Sequence, residues 1–347
     1  MRACITQATR PRSGAIADYS RTLVRGANTA LRSAVIGLGR VGQGYDYDSS
    51  GDAAVLTHAS AFALHDRFDL VAGVDPDPAQ RERFAAKFGA PALGSVEELG
   101  SKAPIDVVAV ATPAAAHSAG VDAGLALAAR AIVCEKPIAA HAGDAEAIVA
   151  ACERRGAALL VNYMRRFEPS VIEIREQLAA GAIGEVRAGV GWYPGGLLEN
   201  GSHMVDLIDF LLGPVEQAAV LAADDEAPAA RLTAAGAIVH LLPAPTGGVN
   251  VFQLELIGTS GSLRYLQSGM SYAIHGTTRP RRLAHVEVLG AGGDLRPTDL
   301  PRYGLHVLDG LVRHLDQSAP LLSDGRSALR ALRVCESLLP RAAGVRS

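Results

Sequence analysis

The stretch Ala34-Val35-Ile36-Gly37-Leu38-Gly39-Arg40-Val41-Gly42 decides how this chain folds. An apolar run ends in three glycines, so a short buried strand leads into a turn that opens a helix. In such a loop the first glycine permits the tight turn. The second lets backbone approach a pyrophosphate, and the third allows close helix packing. Amides at the helix start then meet the phosphate charge. The expected cofactor contacts here are Gly37, Leu38, Gly39, Arg40, Val41 and Gly42. A second strand, Phe68 to Val74, ends at Asp75. A carboxylate there accepts hydrogen bonds from a ribose 2′-hydroxyl and repels a 2′-phosphate. Pro76 follows it, and Arg81 and Arg83 read as solvated helix residues, so NAD is favoured, with NADP as the other possibility. The spacing from Gly37 to Asp75 is nearly twice the roughly 20 residues usual for this motif. The excess is an insertion, Gln43 to Thr57, rich in Asp, Ser, Gly and Tyr.

Further strands at Asp106 to Ala111, Ala131 to Cys134 and Leu159 to Val161 alternate with helices at Pro78 to Phe88, Ala114 to Ala129 and Ala145 to Arg155. Alternation of this kind implies parallel pairing, so residues 33–161 read as an α/β Rossmann domain with a doubly wound parallel sheet. Beyond 162 the pattern changes. Strands at Val186–Tyr193, Ala237–Leu242, Val249–Ile257 and Gly261–Leu266 have few helices between them. Residues 162–340 therefore read as an α+β domain with an open, mainly antiparallel sheet. It closes with helices at Gly304–Leu315 and Ser327–Leu339, and Ser323-Asp324-Gly325 marks the break between them. Asp224–Ala230 and 277–301 read as loops. Residues 1–32 carry six arginines and one acid, Asp18, without a period or the apolar core of a secretory signal, and read as a flexible extension.

Composition narrows the function. The chain has 347 residues, 20% of them charged, and a net charge of −3, which argues against a nucleic-acid surface. No apolar stretch approaches the ~20 residues of a membrane span, so no membrane association is expected. Cys4, Cys134, Cys152 and Cys335 are scattered without metal-ligand spacing, which predicts a reduced cytoplasmic protein and no metal site. Abundant Ala and Arg with scarce Lys suggest a GC-rich bacterial genome. The lysines are Lys87, Lys102 and Lys136. Lys136, in Cys134-Glu135-Lys136-Pro137, follows an apolar strand. Burial can bring an ammonium towards neutrality, whereas guanidinium stays charged. A nucleotide-binding loop with a proton-transferring lysine reads as a dehydrogenase.

Read in order, these segments resemble the Gfo/Idh/MocA oxidoreductases, the family of glucose–fructose oxidoreductase and inositol 2-dehydrogenase. The resemblance rests on Gly37–Gly42, Val71-Ala72-Gly73-Val74-Asp75, Ala111-Thr112-Pro113 with His117, and Glu135-Lys136-Pro137. It continues through Asn162-Tyr163-Met164-Arg165-Arg166-Phe167, Gly201-Ser202-His203 with Asp206, Gly258-Thr259-Ser260-Gly261 and Ser323-Asp324-Gly325. It implies hydride transfer between a nicotinamide and a hydroxyl-bearing carbon of a sugar, nucleotide sugar or cyclitol. It also implies a homo-oligomer, dimer or tetramer, built on the outer face of the second sheet. Lys136 would be the acid/base, His203 its partner, and Glu199 and Asp206 supporting groups. Thr112, Pro113, His117, Glu135 and Lys136 would join the cofactor site, and Asn162, Arg165, Tyr193 and His203 the substrate site. Glu199 stands where the family often has Asp, and Ala114 where it often has Asn. The insertion followed by His58 is similar to that of members found in surface-polysaccharide and secondary-metabolite gene clusters.

Several residues have two readings. Asp206 orients His203 or is a solvated helix acid. Arg165 and Arg166 bind a substrate anion, or Arg166 pairs internally with an acid such as Glu168. Trp192 and Tyr193 stack on a sugar ring or pack in the core. His117 packs beneath the cofactor or reacts, and His58 approaches the ligand or sits on a helix surface. Glu135 fastens the lysine loop or approaches the cofactor ribose. Two alternative functions remain: a lyase or glycosidase that recycles NAD through a transient keto-sugar, and a non-catalytic nucleotide sensor.

Overall fold

The structure is a computed structural model, and it describes residues 29–100, 104–244, 248–283, 285–290 and 292–340. The predicted extension lies outside these, apart from its last residues. The first strand, β1 (Leu31–Ile36), already includes Leu31 and Arg32. It pairs in parallel with β2 (Phe68–Val74) and β4 (Val107–Val110). With β3 (Ala92–Leu93), β5 (Ala131–Cys134) and β6 (Ala158–Val161) the sheet runs β3-β2-β1-β4-β5-β6, all parallel. The order reverses between β1 and β4, which opens a crevice at their carboxyl ends. Side chains alternate across the sheet. Ala34 and Ile36 join one core and Val35 the other. Each buried aliphatic side chain stabilises the fold by about 1.5–3 kcal/mol.

The glycine loop does not open a long helix, as the sequence reading expected. It makes one π-helical turn, Arg40–Gly44, and the chain then enters the insertion. The first full helix, α1 (His58–Leu64), begins only after it. A buried Asp46 closes the insertion, accepting from the Leu56 and Thr57 amides and from the Thr57 and Ser60 hydroxyls at 2.7–3.1 Å. Lys87 donates to the Asp46 and Tyr47 carbonyls, holding the insertion against α2 (Pro78–Phe88). Helix α2 starts on an Asp77 cap with Pro78 next, and stops at Gly89 in the left-handed region. The remaining helices of this half are α3 (Val96–Gly100), α4 (His117–Ala126) and α5 (Ala142–Arg155). A 3-10 turn, Ala114–Ala116, replaces the start of the helix expected from Ala114.

The second half starts with α6 (Pro169–Ala179), capped by Glu168, and continues through β7 (Val186–Tyr193) and α7 (Ser202–Leu212). Then come β8 (Val215–Ala222), β9 (Ala229–Ala234), β10 (Ala237–Pro243), β11 (Gln253–Gly258), β12 (Gly261–Leu266) and β13 (Ser271–Thr278). Short strands β14 (Val288–Leu289) and β15 (Arg296–Pro297) lie in the segment read as a loop. The sheet is antiparallel except where β10 pairs with β7. Finally α8 (Tyr303–Gln317) and α9 (Gly325–Leu338) pack on the first half. Helix α8 lies against α1 and α9 against α5 and β6. A capping box of Asp324 and Ser327 starts α9.

Arg166, in the 3-10 turn Met164–Phe167 after β6, ties that turn to α7. Its Nε donates to both Asp206 oxygens at 2.9 Å and its Nη2 to Asp209 at 2.8 Å, while Nη1 reaches the Leu322 carbonyl. Of the two sequence readings for Arg166, the internal pairing holds, but with Asp206 and Asp209 and not with Glu168, which caps α6 and accepts the Asp299 amide. Asp206 is neither solvated nor directed at His203, because a buried guanidinium requires it. Burial pushes the Asp206 carboxyl up to about 6, against the pull of Arg166. Arg166→Met would leave two buried carboxylates face to face. The expected loss is roughly 3–5 kcal/mol of folding stability, read from the urea midpoint.

Candidate active site

The glycine loop fits a dinucleotide on steric grounds. Gly37 has φ +92°, and a Cβ there would lie 2.8 Å from the Ala111 and Thr112 backbone. A Cβ on Gly42 would lie 2.0 Å from the Gly37 carbonyl. At Gly39 a Cβ would meet nothing within 4 Å, so this face of the loop is open. Asp75 accepts the Leu38 amide at 2.8 Å and the Asp77 amide at 2.9 Å, which locks the loop to the end of β2. Arg81 is not solvated as expected. Its Nη1 donates to the Asp75 and Pro76 carbonyls at 2.8 Å, beside that carboxylate. The Thr112 hydroxyl is buried without a protein partner, as is Asn162 Oδ1. Orphaned polar atoms of this kind mark ligand sites. His117 is buried, with Nε2 2.8 Å from the Thr112 carbonyl and Nδ1 3.2 Å from the Ile138 carbonyl. It thus braces the Thr112 loop against the Lys136 loop.

The Lys136 loop leaves β5 at the crevice, with a cis Lys136–Pro137 peptide. Lys136 Nζ donates to the backbone carbonyl of Glu199. Burial lowers this ammonium below its ordinary value, opposed by Glu135 and Glu199 and aided by Arg165. Next to it, the Glu135 carboxylate accepts His58 Nε2 at 2.9 Å and Asn162 Nδ2 at 2.7 Å on one oxygen. Its other oxygen accepts the Lys136 amide at 3.2 Å. Burial would raise the Glu135 carboxyl, but these donors hold it below its ordinary value.

His203 sits at the start of α7, buried, with its ring edge-on to Tyr163 at 5.6 Å. Burial, then the Lys136 and Arg165 cations, hold its imidazole well below its ordinary value, so it is neutral at pH 7. Arg165 is buried with its guanidinium 3.9 Å above the Phe252 ring, and its Nε and Nη1 have no hydrogen-bond partner. Burial pulls this cation below its ordinary value, with Tyr265 as a polar neighbour.

The structure thus brings together Glu135, Lys136, Asn162, Arg165 and His203. Three expected residues serve otherwise. Tyr193 is fully buried, and its hydroxyl donates to the Pro228 carbonyl at 2.7 Å, so it packs in the core instead of meeting a sugar. Asp206 belongs to the Arg166 cluster. Glu199 is exposed and reaches Lys136 through its main chain, not its carboxylate. Sequence reasoning missed Asp46, Asp209 and Phe252. Asp209, one helical turn after Asp206, carried a readable signal.

Comparison with known proteins agrees with this geometry. The profile of the oxidoreductase family with an NAD-binding Rossmann fold, GFO_IDH_MocA, matches residues 31–163. D-apiose dehydrogenase of Paraburkholderia graminis is 30% identical over 277 residues, 73% of this chain and 67% of that protein. Inositol 2-dehydrogenase of Rhizobium meliloti is 31% identical over 156 residues, 45% of this chain and 43% of that protein. The chain spans about half the length of the first curated relatives it matches. Among solved structures, the WlbA dehydrogenase of Bordetella pertussis, in complex with NADH and UDP-GlcNAcA, superposes with a TM-score of 0.73 at 19% identity. That match covers 90% of this chain and 95% of WlbA. The fold and crevice are those of an NAD-binding oxidoreductase. The chain belongs to the Gfo/Idh/MocA family. Among the described residues no helix is long and apolar enough to cross a membrane.

His203 also makes a stability prediction. The unfolded chain takes up a proton below about pH 6.5, whereas the folded imidazole resists it. Stability is therefore full above that pH and falls as the pH drops. His203→Gln should lose less stability than wild type between pH 7.5 and 5.5 in urea titrations. Glu135, with its depressed carboxyl, contributes stability that is present above its ordinary value of 4.5 and is lost only as the pH falls below it, outside this window.

Proposed function

We propose that this chain is an NAD-dependent dehydrogenase or reductase acting on a hydroxyl-bearing carbon of a sugar, nucleotide sugar or cyclitol. The observation that carries the reading is the convergence of a half-buried lysine and a neutral histidine beside the open glycine loop. The bound nicotinamide supplies the hydride acceptor or donor. Residues Gly37–Gly42, Asp75, Thr112 and Glu135 would hold the cofactor. Lys136 is the proton-transfer residue. Its lowered ammonium pKa lets it accept a hydroxyl proton in oxidation and return one in reduction. Neutral His203 shares that hydroxyl as hydrogen-bond partner. Arg165, with two open N–H positions, and Asn162 orient the remaining substrate oxygens. The names of the relatives, an apiose and an inositol dehydrogenase, support this substrate class.

Incubation with NAD and a panel of myo-inositol, D-glucose and UDP-N-acetylglucosamine, followed by NADH absorbance, tests the reading. Lys136→Ala should lower turnover by roughly 10²–10⁴-fold while leaving NAD affinity within about threefold. Unchanged turnover in that variant would falsify the assignment of Lys136. Tight NAD retention with product but no net NADH would favour the cofactor-recycling lyase. The Asp75 carboxylate repels a 2′-phosphate, so Asp75→Ala should shift preference towards NADP. An unaltered NAD:NADP ratio of kcat/KM would remove Asp75 from cofactor selection.

A further inference from the structure

The insertion after the glycine loop ends in a side chain that reaches the chemistry. His58 is the first residue of α1, and Asp46 fixes its approach by holding both Thr57 and Ser60. Tyr303 adds a brace from α8, donating to the Leu56 carbonyl at 2.5 Å. The buried His58 ring meets Glu135 Oε1 at 2.9 Å, and Asn162 meets the same oxygen from the loop after β6. With Oε1 held by two donors, Oε2 is left for the Lys136 amide. Donors from three separate segments thus fix one carboxylate next to Lys136. We propose that His58 is a positioning residue for Lys136, acting through Glu135, and that the insertion serves to deliver it.

The inference rests on the proton-transfer role proposed for Lys136, and it identifies what sets that lysine's ionisation. Lys136 faces Glu135, Glu199, Arg165 and His203. Glu135 in turn faces His58, Asn162, Lys136 and Tyr303. Held in place, the Glu135 charge favours the ammonium. Released from His58, the carboxylate is free to turn away from Lys136, and with the opposite charge farther off the lysine's midpoint falls.

The test needs no substrate, because the chain has only Lys87, Lys102 and Lys136. Lysine labelled with 13Cε and 15Nζ gives few signals, and a Lys136→Ala sample assigns the one of interest. In NMR titrations of the full chain, Glu135→Gln should lower the Lys136 midpoint by about half a unit or more, since it removes a neighbouring opposite charge. His58→Leu should lower it in the same direction, leaving Lys87 and Lys102 unmoved. His58→Gln keeps a donor and should restore the wild-type midpoint. The double variant His58→Leu/Glu135→Gln should match Glu135→Gln alone, as expected for residues acting in series. A Lys136 midpoint untouched by His58→Leu overturns the proposal. So does a rise, which would make His58 a competing charge, and so does additivity in the double variant. If His58→Leu does not fold, His58→Phe, which also lacks the donor, takes its place: a lowered Lys136 midpoint supports the proposal and an untouched one overturns it. Loss of turnover in Lys136→Ala together with a normal Lys136 midpoint in His58→Leu overturns this inference and leaves the proposed function standing.

Discussion

The cleft depends on one buried guanidinium. Arg166 lies in the 3-10 turn that follows β6 and grips two carboxylates of α7. A cation taken out of water must be paired and hydrogen-bonded. Asp206, Asp209 and the Leu322 carbonyl meet that demand, and Phe210 lies 5.2 Å from the guanidinium carbon. Because His203 lies in the first turn of α7, the same contacts that satisfy Arg166 fix the histidine's distance from the lysine loop. Its neighbour Arg165 points the other way and keeps open N–H positions. Two adjacent arginines of identical chemistry therefore serve differently, one satisfied within the scaffold and one left with N–H groups that the protein does not pair.

Electrostatics in the cleft follow from this arrangement. Burial first, and then the neighbouring Lys136 and Arg165 cations, keep His203 neutral. The only carboxylate fastened beside the lysine is Glu135, among the described residues, and its donors are arranged so that it stays ionised despite burial. The balance between these groups decides how readily the ammonium gives up its proton.

Much of this was legible in the sequence, for local reasons. Gly37, Gly42 and Asp75 could be read because turn geometry and a strand-end carboxylate are properties of a few adjacent residues. Lys136 stood out because arginine replaces lysine nearly everywhere else. Strand and helix alternation fixed the first sheet's class without tertiary information. The failures are equally physical. The helix expected straight after the glycine loop is interrupted, because Asp46 finds its donors inside the insertion. Arg166 and Glu168 are close in sequence, yet each meets a distant partner that no spacing rule reveals. Tyr193 ends a strand facing inward, and only the Pro228 carbonyl in the folded chain shows where its hydroxyl goes.

The packing of α8 and α9 on the nucleotide half has a consequence for biosynthesis. A ribosome delivers that half first, yet its surfaces are covered last. Arg67 waits for Asp316, His65 for Asp309, and Leu160 for its bridge to Asp324. These contacts join residues far apart in the chain, and closing such long loops is slow. The nascent nucleotide half therefore emerges with an unfinished hydrophobic flank, and the protein's vulnerability to aggregation is concentrated in the interval before its final helices arrive.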